Sequence, residues 1–305
     1  EVLERLAGHF ELRSNQDDMP WTPESWIAAL SSCQGALTTG ADPIRPEQLA
    51  SCADLRICAN MAVGFNNFDV PAMSAARVVA TNTPDVLTET TADFGFALLM
   101  ATARRMTESE HFLRAGRWTQ WRYDLFAGAE VHGSTLGILG MGRIGQAIAK
   151  RALAFDMSIA YHSRHRVESV PYTYFATAKE LAAHVDYLVV ITPGGAGTKH
   201  LVNAEVLAAL GNKGYLINVA RGSVVDQAAL IEALQKKTIA GAGLDVFADE
   251  PRVPSELRLA NHTVLTPHIG SATQQTRQAM ADLCLANLAA HFEGQPIPAL
   301  VPECA

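Results

Sequence analysis

The chain has 305 residues, of which 49% are hydrophobic and 18% are charged, and its net charge is -7. This length suits two domains with separate cores, and the composition excludes a disordered protein. The negative balance argues against a nucleic-acid surface, which needs lysine and arginine clustered over a broad face.

The cysteines show neither the spacing of a zinc site nor a CxxC pair, so we expect reduced thiols and no bound metal. They are Cys33, Cys52, Cys58, Cys284 and Cys304. No apolar run reaches the ~18 residues needed to span a bilayer, and the first residues do not resemble a signal peptide. The sequence therefore predicts a cytoplasmic protein that binds neither nucleic acid nor membrane.

The first part of the chain predicts a small α/β unit. Thr22 and Pro23 begin a helix, GALTT follows as a strand, RPEQLASC as a helix and LRICANM as a strand. The next helical segment, PDVLTETTADFGFALLMATARR, has apolar residues over too wide an arc for one buried stripe. We therefore expect that a partner subunit could cover part of this helix.

From Thr135 onward, short apolar runs alternate with helical segments. The runs are TLGILG, MSIAYH, DYLVVIT, GYLINVA, TIAGAGLDV and HTVLTPH. This alternation predicts a doubly wound parallel sheet with helices on both faces. A capping-box pattern from Ser271 to Gln274 begins a last helix, which could return the chain to the small unit and leave a cleft. The predicted domains are 83–268 and, around it, 1–82 with 269–305.

GMGRIG, from Gly140 to Gly145, is a G-x-G-x-x-G that follows a predicted strand and opens a helix. In this context Gly140 permits a tight turn, Gly142 lets a pyrophosphate approach, and Gly145 allows close helix packing. The first helical turn, with Arg143 and Ile144, offers N–H groups and a partial positive charge to phosphates. We expect a dinucleotide site; a turn that serves packing alone is the alternative.

A basic corner follows the second strand of this domain. NAD sites carry an acidic residue about 20 residues after the glycines, where it binds the ribose 2′-hydroxyl. Here His162, Ser163 and Arg164 stand in that place, and His165 and Arg166 come next. Arg164 with these neighbours could hold a 2′-phosphate through charge-assisted hydrogen bonds. The corner predicts NADP rather than NAD; a solvated basic turn is the alternative.

Three polar residues follow later strands: Arg221 in NVARGSVVD, Glu250 in LDVFADEP and His268 in TPHIGSAT. Each alone could be an ordinary surface or strand-end group, but together they would meet at the carboxyl edge of one sheet. A guanidinium can hold a carboxylate, and a histidine supported by a carboxylate can protonate a developing oxyanion. This set predicts reduction of a 2-oxo acid.

These motifs, together with AVGFNNFD, run over essentially the whole chain in an order that resembles the D-isomer-specific 2-hydroxyacid dehydrogenases. The resemblance is strongest to their glyoxylate/hydroxypyruvate and 2-ketogluconate reductase branch. It implies Arg221 as substrate anchor, Glu250 as partner of the histidine, His268 as general acid/base, and Asp245 near the nicotinamide carboxamide. Further cofactor contacts are expected at Pro193, Thr198, Ala220 and Gly270.

The resemblance also implies a Rossmann-type cofactor domain inserted in a smaller flavodoxin-like substrate domain, and a homodimer. Backbone N–H groups of Val63 and Gly64 would hold the substrate carboxylate from the smaller domain. The expected reaction uses NADPH, with NADH as the weaker alternative. The product is a D-2-hydroxy acid, from glyoxylate, hydroxypyruvate or 2-ketogluconate.

Two other functions on this fold are weighed against the reductase. A nucleotide-sensing protein, similar to transcriptional co-repressors, could keep the same three residues, although the acidic balance disfavours it. Formate oxidation is disfavoured because the similar enzymes that oxidise formate pair the histidine with a glutamine. This chain has Glu250 in that place. Four aromatic residues before the glycines could reach a substrate cleft or serve ordinary packing: Trp118, Trp121, Tyr123 and Phe126.

Overall fold

The computed structural model describes residues 2–15, 19 and 21–302. The chain divides into two compact units, one formed by 1–87 with 272–305 and the other by 88–271. Cys304 lies outside the described residues, and the other four cysteines are free thiols. In the part of the chain that is described, no helix is both long and apolar enough to cross a membrane.

The smaller unit is built on a parallel sheet in the order β1-β2-β3. The strands are β1 (Gly35–Thr38), β2 (Ile57–Asn60) and β3 (Val79–Thr81), and the helices among them are α1 (Val2–Ala7), α2 (Pro23–Leu30), α3 (Pro46–Leu49) and α4 (Val70–Ala75). Thr22 caps α2, because its hydroxyl accepts a hydrogen bond from the Ser25 N–H at 3.2 Å. β2 is buried along its whole length, so it forms the centre of this unit.

The larger unit has a parallel sheet in the order β10-β9-β8-β7-β4-β5-β6. Its strands are β4 (Thr135–Leu139), β5 (Ser158–His162), β6 (Thr173–Tyr174), β7 (Tyr187–Val190), β8 (Tyr215–Asn218), β9 (Gly241–Leu244) and β10 (Thr263–Leu265). Each of the apolar runs found in the sequence forms a strand. Among the seven strands described in this sheet, the two-residue β6 was not predicted, because it is too short to show a pattern.

Helices cover both faces of this sheet. They are α5 (Thr88–Ala103), α6 (Met106–Arg114), α7 (Arg143–Leu153), α8 (Ala178–Ala182), α9 (Ala204–Leu210), α10 (Gln227–Gln235) and α11 (Ser255–Arg258), with single 3-10 turns at Ala196–Thr198 and Gly222–Val224. α5 packs against α7 and against β8, β9 and β10. The buried residues of α5 thus pack within this unit, whereas Phe94, Ala97 and Met100 are not fully buried. That a partner subunit covers part of this helix stays a prediction.

The chain order within the large sheet creates a switch point between two central strands. From β4 the chain moves outward through β5 to β6, and then returns to β7 on the other side and moves outward to β10. Crevices at the carboxyl ends of strands on either side of such a reversal are where open α/β sheets bind ligands. The loops after β4 and β7 are thus the expected position of a site.

Helix α12 (Gln274–Phe292) completes the smaller unit by packing against β2. Its N-cap is Thr273, whose hydroxyl accepts from the Thr276 N–H at 3.2 Å, and not the predicted Ser271. The Gly270 N–H bonds Asp245 of the larger unit at 2.8 Å, and Gly270 and Ser271 form a turn, so the helix begins only after them. The chain after α12 pairs with β3, where the Val301 N–H donates to Ala80 O at 3.0 Å.

Candidate active site

The glycine loop joins β4 to α7 at the carboxyl edge of the large sheet. Gly140 has a φ of 107°, and a Cβ there would lie 2.9 Å from the Ile191 carbonyl oxygen, so the turn requires glycine. A Cβ on Gly145 would collide with the Gly140 carbonyl oxygen. Both glycines are therefore required by the backbone itself, whatever the loop binds.

Gly142, the N-cap of α7, differs because an added Cβ would meet no atom within 4 Å. The helical ladder starts with the Gln146 N–H donating to Gly142 O at 2.9 Å. The N–H groups of the first turn, beginning at Arg143 and Ile144, precede that ladder and carry the positive end of the helix dipole. The loop thus has open space and a local positive potential, as a diphosphate group needs.

Thr192 adds a polar group beside this loop. Its hydroxyl is buried and has no hydrogen-bond partner among the described residues. Its backbone nitrogen lies 3.0 Å from the position that a Gly140 Cβ would take. An orphaned buried hydroxyl is unusual and calls for an explanation. Together with the open space at Gly142, it fits a bound dinucleotide.

The basic corner at the end of β5 is partly occupied by its own hydrogen bonds. His162 Nδ1 lies 3.0 Å from Phe175 O, and the Ser163 hydroxyl donates to His165 O at 2.6 Å. Arg166 lies 3.7 Å from Glu168. Arg164 is exposed, and no described residue pairs with its guanidinium. Of the group predicted to bind a 2′-phosphate, Arg164 has the charge most available for it.

His268 and Glu250 form the central pair of the site. His268 Nδ1 lies 2.7 Å from Glu250 Oε2, and Glu250 Oε1 accepts the Phe247 N–H at 2.9 Å. Burial alone would raise the Glu250 pKa, but the hydrogen bonds from His268 and Phe247 and the charges of His268 and Arg221 outweigh it and lower that pKa. The carboxylate is therefore ionised at neutral pH and holds the imidazole through Nδ1.

Arg221 follows β8, and its charge reaches the same carboxylate. Burial lowers the pKa of the guanidinium, and the nearby Glu250 carboxylate opposes that shift. Because an arginine stays protonated even so, the site keeps a permanent positive charge beside a carboxylate-supported histidine. The Arg221 Nη1 donates to Ala220 O at 2.7 Å, which limits the positions of the side chain.

Asp245 is a buried carboxylate that organises the segment carrying His268. Its Oδ1 accepts from the Thr266 hydroxyl and the Ile269 N–H, each at 2.8 Å, and its Oδ2 accepts from the Gly270 N–H at 2.8 Å. Burial raises the pKa of Asp245, against the effect of these hydrogen bonds and of the His268 charge. The His268 N–H donates to Asp245 O at 2.8 Å. Asp245 thus holds both ends of this turn.

The remaining predicted cofactor residues lie on loops at the same edge. The Thr198 hydroxyl donates to Pro193 O at 2.7 Å, which links the two ends of the loop after β7. The Ala220 N–H donates to Asn218 Oδ1 at 3.1 Å. These residues belong to the larger unit, whereas Val63 and Gly64 belong to the smaller unit, in the loop after β2.

Three polar residues of this edge were not singled out in the sequence: Thr192, Thr266 and Asn218. Asn218 Nδ2 donates to Arg221 O at 3.1 Å, and the Thr266 hydroxyl binds Asp245, so both support residues that were predicted. All three stand at or just beyond the carboxyl end of a predicted strand. Reading every polar residue at a strand end as a candidate would have found them.

The family model described as D-isomer specific 2-hydroxyacid dehydrogenase, NAD binding domain, matches residues 96–270. Glyoxylate reductase of Pyrococcus horikoshii is 42% identical, over 98% of this chain and 92% of that protein. Glyoxylate/hydroxypyruvate reductase A of Arabidopsis thaliana is 43% identical, over 86% of this chain and 82% of that protein.

A solved structure is similar over nearly the whole chain. It is the NADPH-dependent glyoxylate/hydroxypyruvate reductase of Sinorhizobium meliloti, in complex with NADP and malonate. The TM-score is 0.89 at 44% identity, and the match covers 99% of this chain and 93% of that chain.

Proposed function

The chain belongs to the D-isomer specific 2-hydroxyacid dehydrogenases, and from this premise we propose that it reduces a small 2-oxo acid with NADPH to the D-2-hydroxy acid. The observation that carries the proposal is the 2.7 Å contact between His268 and Glu250. This pair stands on the same edge of the same sheet as the glycine loop and the cationic Arg221. The edge therefore combines a dinucleotide cradle with a proton donor and a carboxylate anchor.

The glycine loop would hold the cofactor. The first-turn N–H groups of α7 would bind the pyrophosphate over Gly142, and Asp245 would lie near the carboxamide of the nicotinamide. When bound, the reduced nicotinamide supplies hydride to the carbonyl carbon of the substrate. The other contacts that we propose for the cofactor are those of Pro193, Thr198, Ala220 and Gly270.

His268 would supply the proton. Because Nδ1 is engaged with Glu250, the remaining ring nitrogen Nε2 is the atom that can donate to the carbonyl oxygen of the substrate. The ionised Glu250 fixes the ring, so Nε2 is oriented to give a proton to that oxygen as negative charge develops on it. In the reverse reaction the same nitrogen would remove the hydroxyl proton.

Arg221 would bind the substrate through its carboxylate and polarised carbonyl. A planar guanidinium can donate two parallel hydrogen bonds, which sets the orientation of a 2-oxo acid as well as its affinity. We also propose that the Val63 and Gly64 N–H groups bind a substrate carboxylate. Glyoxylate and hydroxypyruvate are the substrates that we favour over 2-ketogluconate, since the similar enzymes of Pyrococcus and Arabidopsis are named for them.

The preference for NADPH rests on Arg164 and on the absence of an acidic residue at the end of β5. An exposed guanidinium beside the expected ribose position would attract a 2′-phosphate, and no carboxylate is there to repel one. The Sinorhizobium enzyme, which is described as NADPH-dependent, supports this choice. NADH would serve as a weaker coenzyme.

A steady-state assay tests the function directly. Glyoxylate, hydroxypyruvate and 2-ketogluconate are each offered with NADPH and with NADH, and the fall in absorbance of the reduced coenzyme is followed. Turnover of at least one of the first two substrates, at higher kcat/KM with NADPH, is the expected result. NADPH binding without turnover of any of the three would favour a nucleotide-sensing protein instead.

We also propose that the protein is a cytoplasmic homodimer, and the surface of α6 supports the oligomeric state. None of the residues of α6 is buried. In the loop after α6, Trp121 is 75% exposed and Tyr123 is 92% exposed. A nine-residue helix is not stable in water by itself, and exposed aromatic clusters mark interaction sites. A second copy of the chain would cover this surface.

A further inference from the structure

Three successive carbonyl groups in the loop after β2 are each held by a defined donor. Ala62 O accepts the Thr83 N–H at 3.0 Å, Val63 O accepts Asn82 Nδ2 at 2.8 Å, and Gly64 O accepts Asn60 Nδ2 at 3.0 Å. All of these groups belong to the smaller unit. Hydrogen bonds on consecutive carbonyl groups fix the orientation of consecutive peptide planes.

The N–H groups of the same peptide planes are thereby oriented as well. In a trans peptide the N–H is directed opposite to the carbonyl of the preceding residue, so binding Ala62 O sets the Val63 N–H and binding Val63 O sets the Gly64 N–H. Within residues 2–15, 19 and 21–302, neither of these two N–H groups donates a hydrogen bond to the protein. Two neighbouring donors are thus held ready for an acceptor from outside the chain.

Asn82 is itself held firmly. Only 5% of it is exposed; its N–H donates to Ala299 O at 3.3 Å, and its carbonyl accepts Asn287 Nδ2 at 3.4 Å. Asn287 Oδ1 in turn accepts the Ala299 N–H at 3.0 Å. Helix α12 and the chain after it therefore fix the backbone of Asn82. The side chain of Asn82 in turn fixes the loop after β2.

We propose that Asn82 is a positioning residue for the reduction, which orients the Val63–Gly64 peptide so that the Gly64 N–H meets the carboxylate of the 2-oxo acid. The inference rests on the proposed function. Donors that are oriented before binding lose no free energy to reorganisation when the carboxylate arrives. Asn82 acts through the loop and touches neither the substrate nor the cofactor, so its loss affects substrate binding and leaves the proton donor intact.

The test compares Asn82→Leu with the matched control Gln48→Leu. Gln48 is also a buried amide of the smaller unit, at 8% exposure, but its Oε1 accepts the Arg45 N–H and stays away from the loop. For Asn82→Leu we expect KM for glyoxylate, and Kd for oxalate measured by calorimetry on the NADPH-loaded protein, to rise about tenfold, the effect of losing a hydrogen bond to a charged group. Turnover number and Kd for NADPH stay near the wild-type values.

Gln48→Leu should lose thermal stability without this change in oxalate binding. Equal changes in oxalate binding for the two variants, or none in Asn82→Leu, would overturn the inference, because a purely structural role predicts either result. If Asn82→Leu does not fold, Asn82→Asp keeps the size and removes the donor to Val63 O, and the same measurements apply. A wild-type protein that binds NADPH and oxalate but reduces no 2-oxo acid would overturn the proposed function instead, and the oxalate comparison would still decide on Asn82.

Discussion

The imidazole of His268 is joined to the carboxylate of Glu250 by a 2.7 Å contact, and that carboxylate is anchored in turn by the Phe247 N–H at 2.9 Å. The histidine is thus oriented by groups that leave Nε2 for another partner. His268 is 45% exposed in its side chain, so a small molecule can reach the ring.

Replacement of His268 by alanine should remove the proton donor and little else. We expect kcat for glyoxylate to fall by roughly 10² to 10⁴, the range for loss of a general acid, while Kd for NADPH is retained. Stopped-flow turnover and fluorescence titration of NADPH measure the two quantities. A variant that keeps wild-type turnover would disprove the mechanism.

Replacement of Glu250 by glutamine should change activity and stability in a pH-dependent way. At neutral pH we expect kcat to fall by roughly 10²-fold, because the neutral amide no longer holds the imidazole through a charge-assisted hydrogen bond. The folded protein lowers the pKa of Glu250 below its ordinary value of 4.5. The stability that this gives is present above about pH 4.5 and is lost as the pH falls through the lower folded-state pKa.

The free energies of unfolding of the wild type and of Glu250→Gln should therefore differ most at about neutral pH. They should converge as the pH falls towards about 3. Urea unfolding across this pH range checks the sign. Glu256, which is also a glutamate of lowered pKa but does not contact the histidine, provides Glu256→Gln as the control for turnover. A difference that grows as the pH falls would contradict the assignment.

Arg164 should decide the choice of coenzyme. For Arg164→Ala we expect KM for NADPH to rise about tenfold, as for the loss of a charge-assisted hydrogen bond, while KM for NADH is unchanged. Arg166→Ala is the matched control, since Arg166 is two residues away, exposed and near Glu168. If the two substitutions raise KM for NADPH equally, the corner acts only through its overall charge.

Two glycines of the same loop should respond differently to alanine. At Gly142 the added methyl group enters open space, so Gly142→Ala should fold normally and raise Kd for NADPH about tenfold by occupying the pyrophosphate position. At Gly145 the methyl group meets the Gly140 carbonyl oxygen, so Gly145→Ala should lower the melting temperature. Calorimetric melting and NADPH titration of both variants separate cofactor binding at Gly142 from backbone packing at Gly145. Unchanged NADPH affinity in Gly142→Ala would count against pyrophosphate binding by the glycine loop.

The aromatic surface after α6 should control oligomeric state. Trp121→Glu places a charge on the proposed interface and should convert the dimer to monomer at micromolar concentration, as measured by light scattering after size exclusion. Leu153→Glu is the control, because Leu153 is 50% exposed at the end of α7. A wild-type protein that is monomeric at the same concentration would show the proposal to be wrong.

Much of the larger unit was predictable from local pattern. Strands buried on both faces appear in the sequence as short continuous apolar runs, such as the one that became β7, and the order of strands and helices then requires a parallel sheet. The glycine loop was predictable for a related reason, since Gly140 has a positive φ and Gly145 lies against the Gly140 carbonyl oxygen. Arg221, Glu250 and His268 could be proposed from the sequence because each follows one of these strands.

Tertiary structure alone decided which polar groups are already occupied and which are available. Ser163 was predicted to bind a phosphate, yet its hydroxyl donates to His165, and the cap of α12 moved to Thr273 because Gly270 is held by Asp245. Asn82 carries no pattern at all, since its partners Val63 and Asn287 lie far from it along the chain. Apolar periodicity records burial one residue at a time, whereas a hydrogen bond between distant residues exists only after the chain has folded.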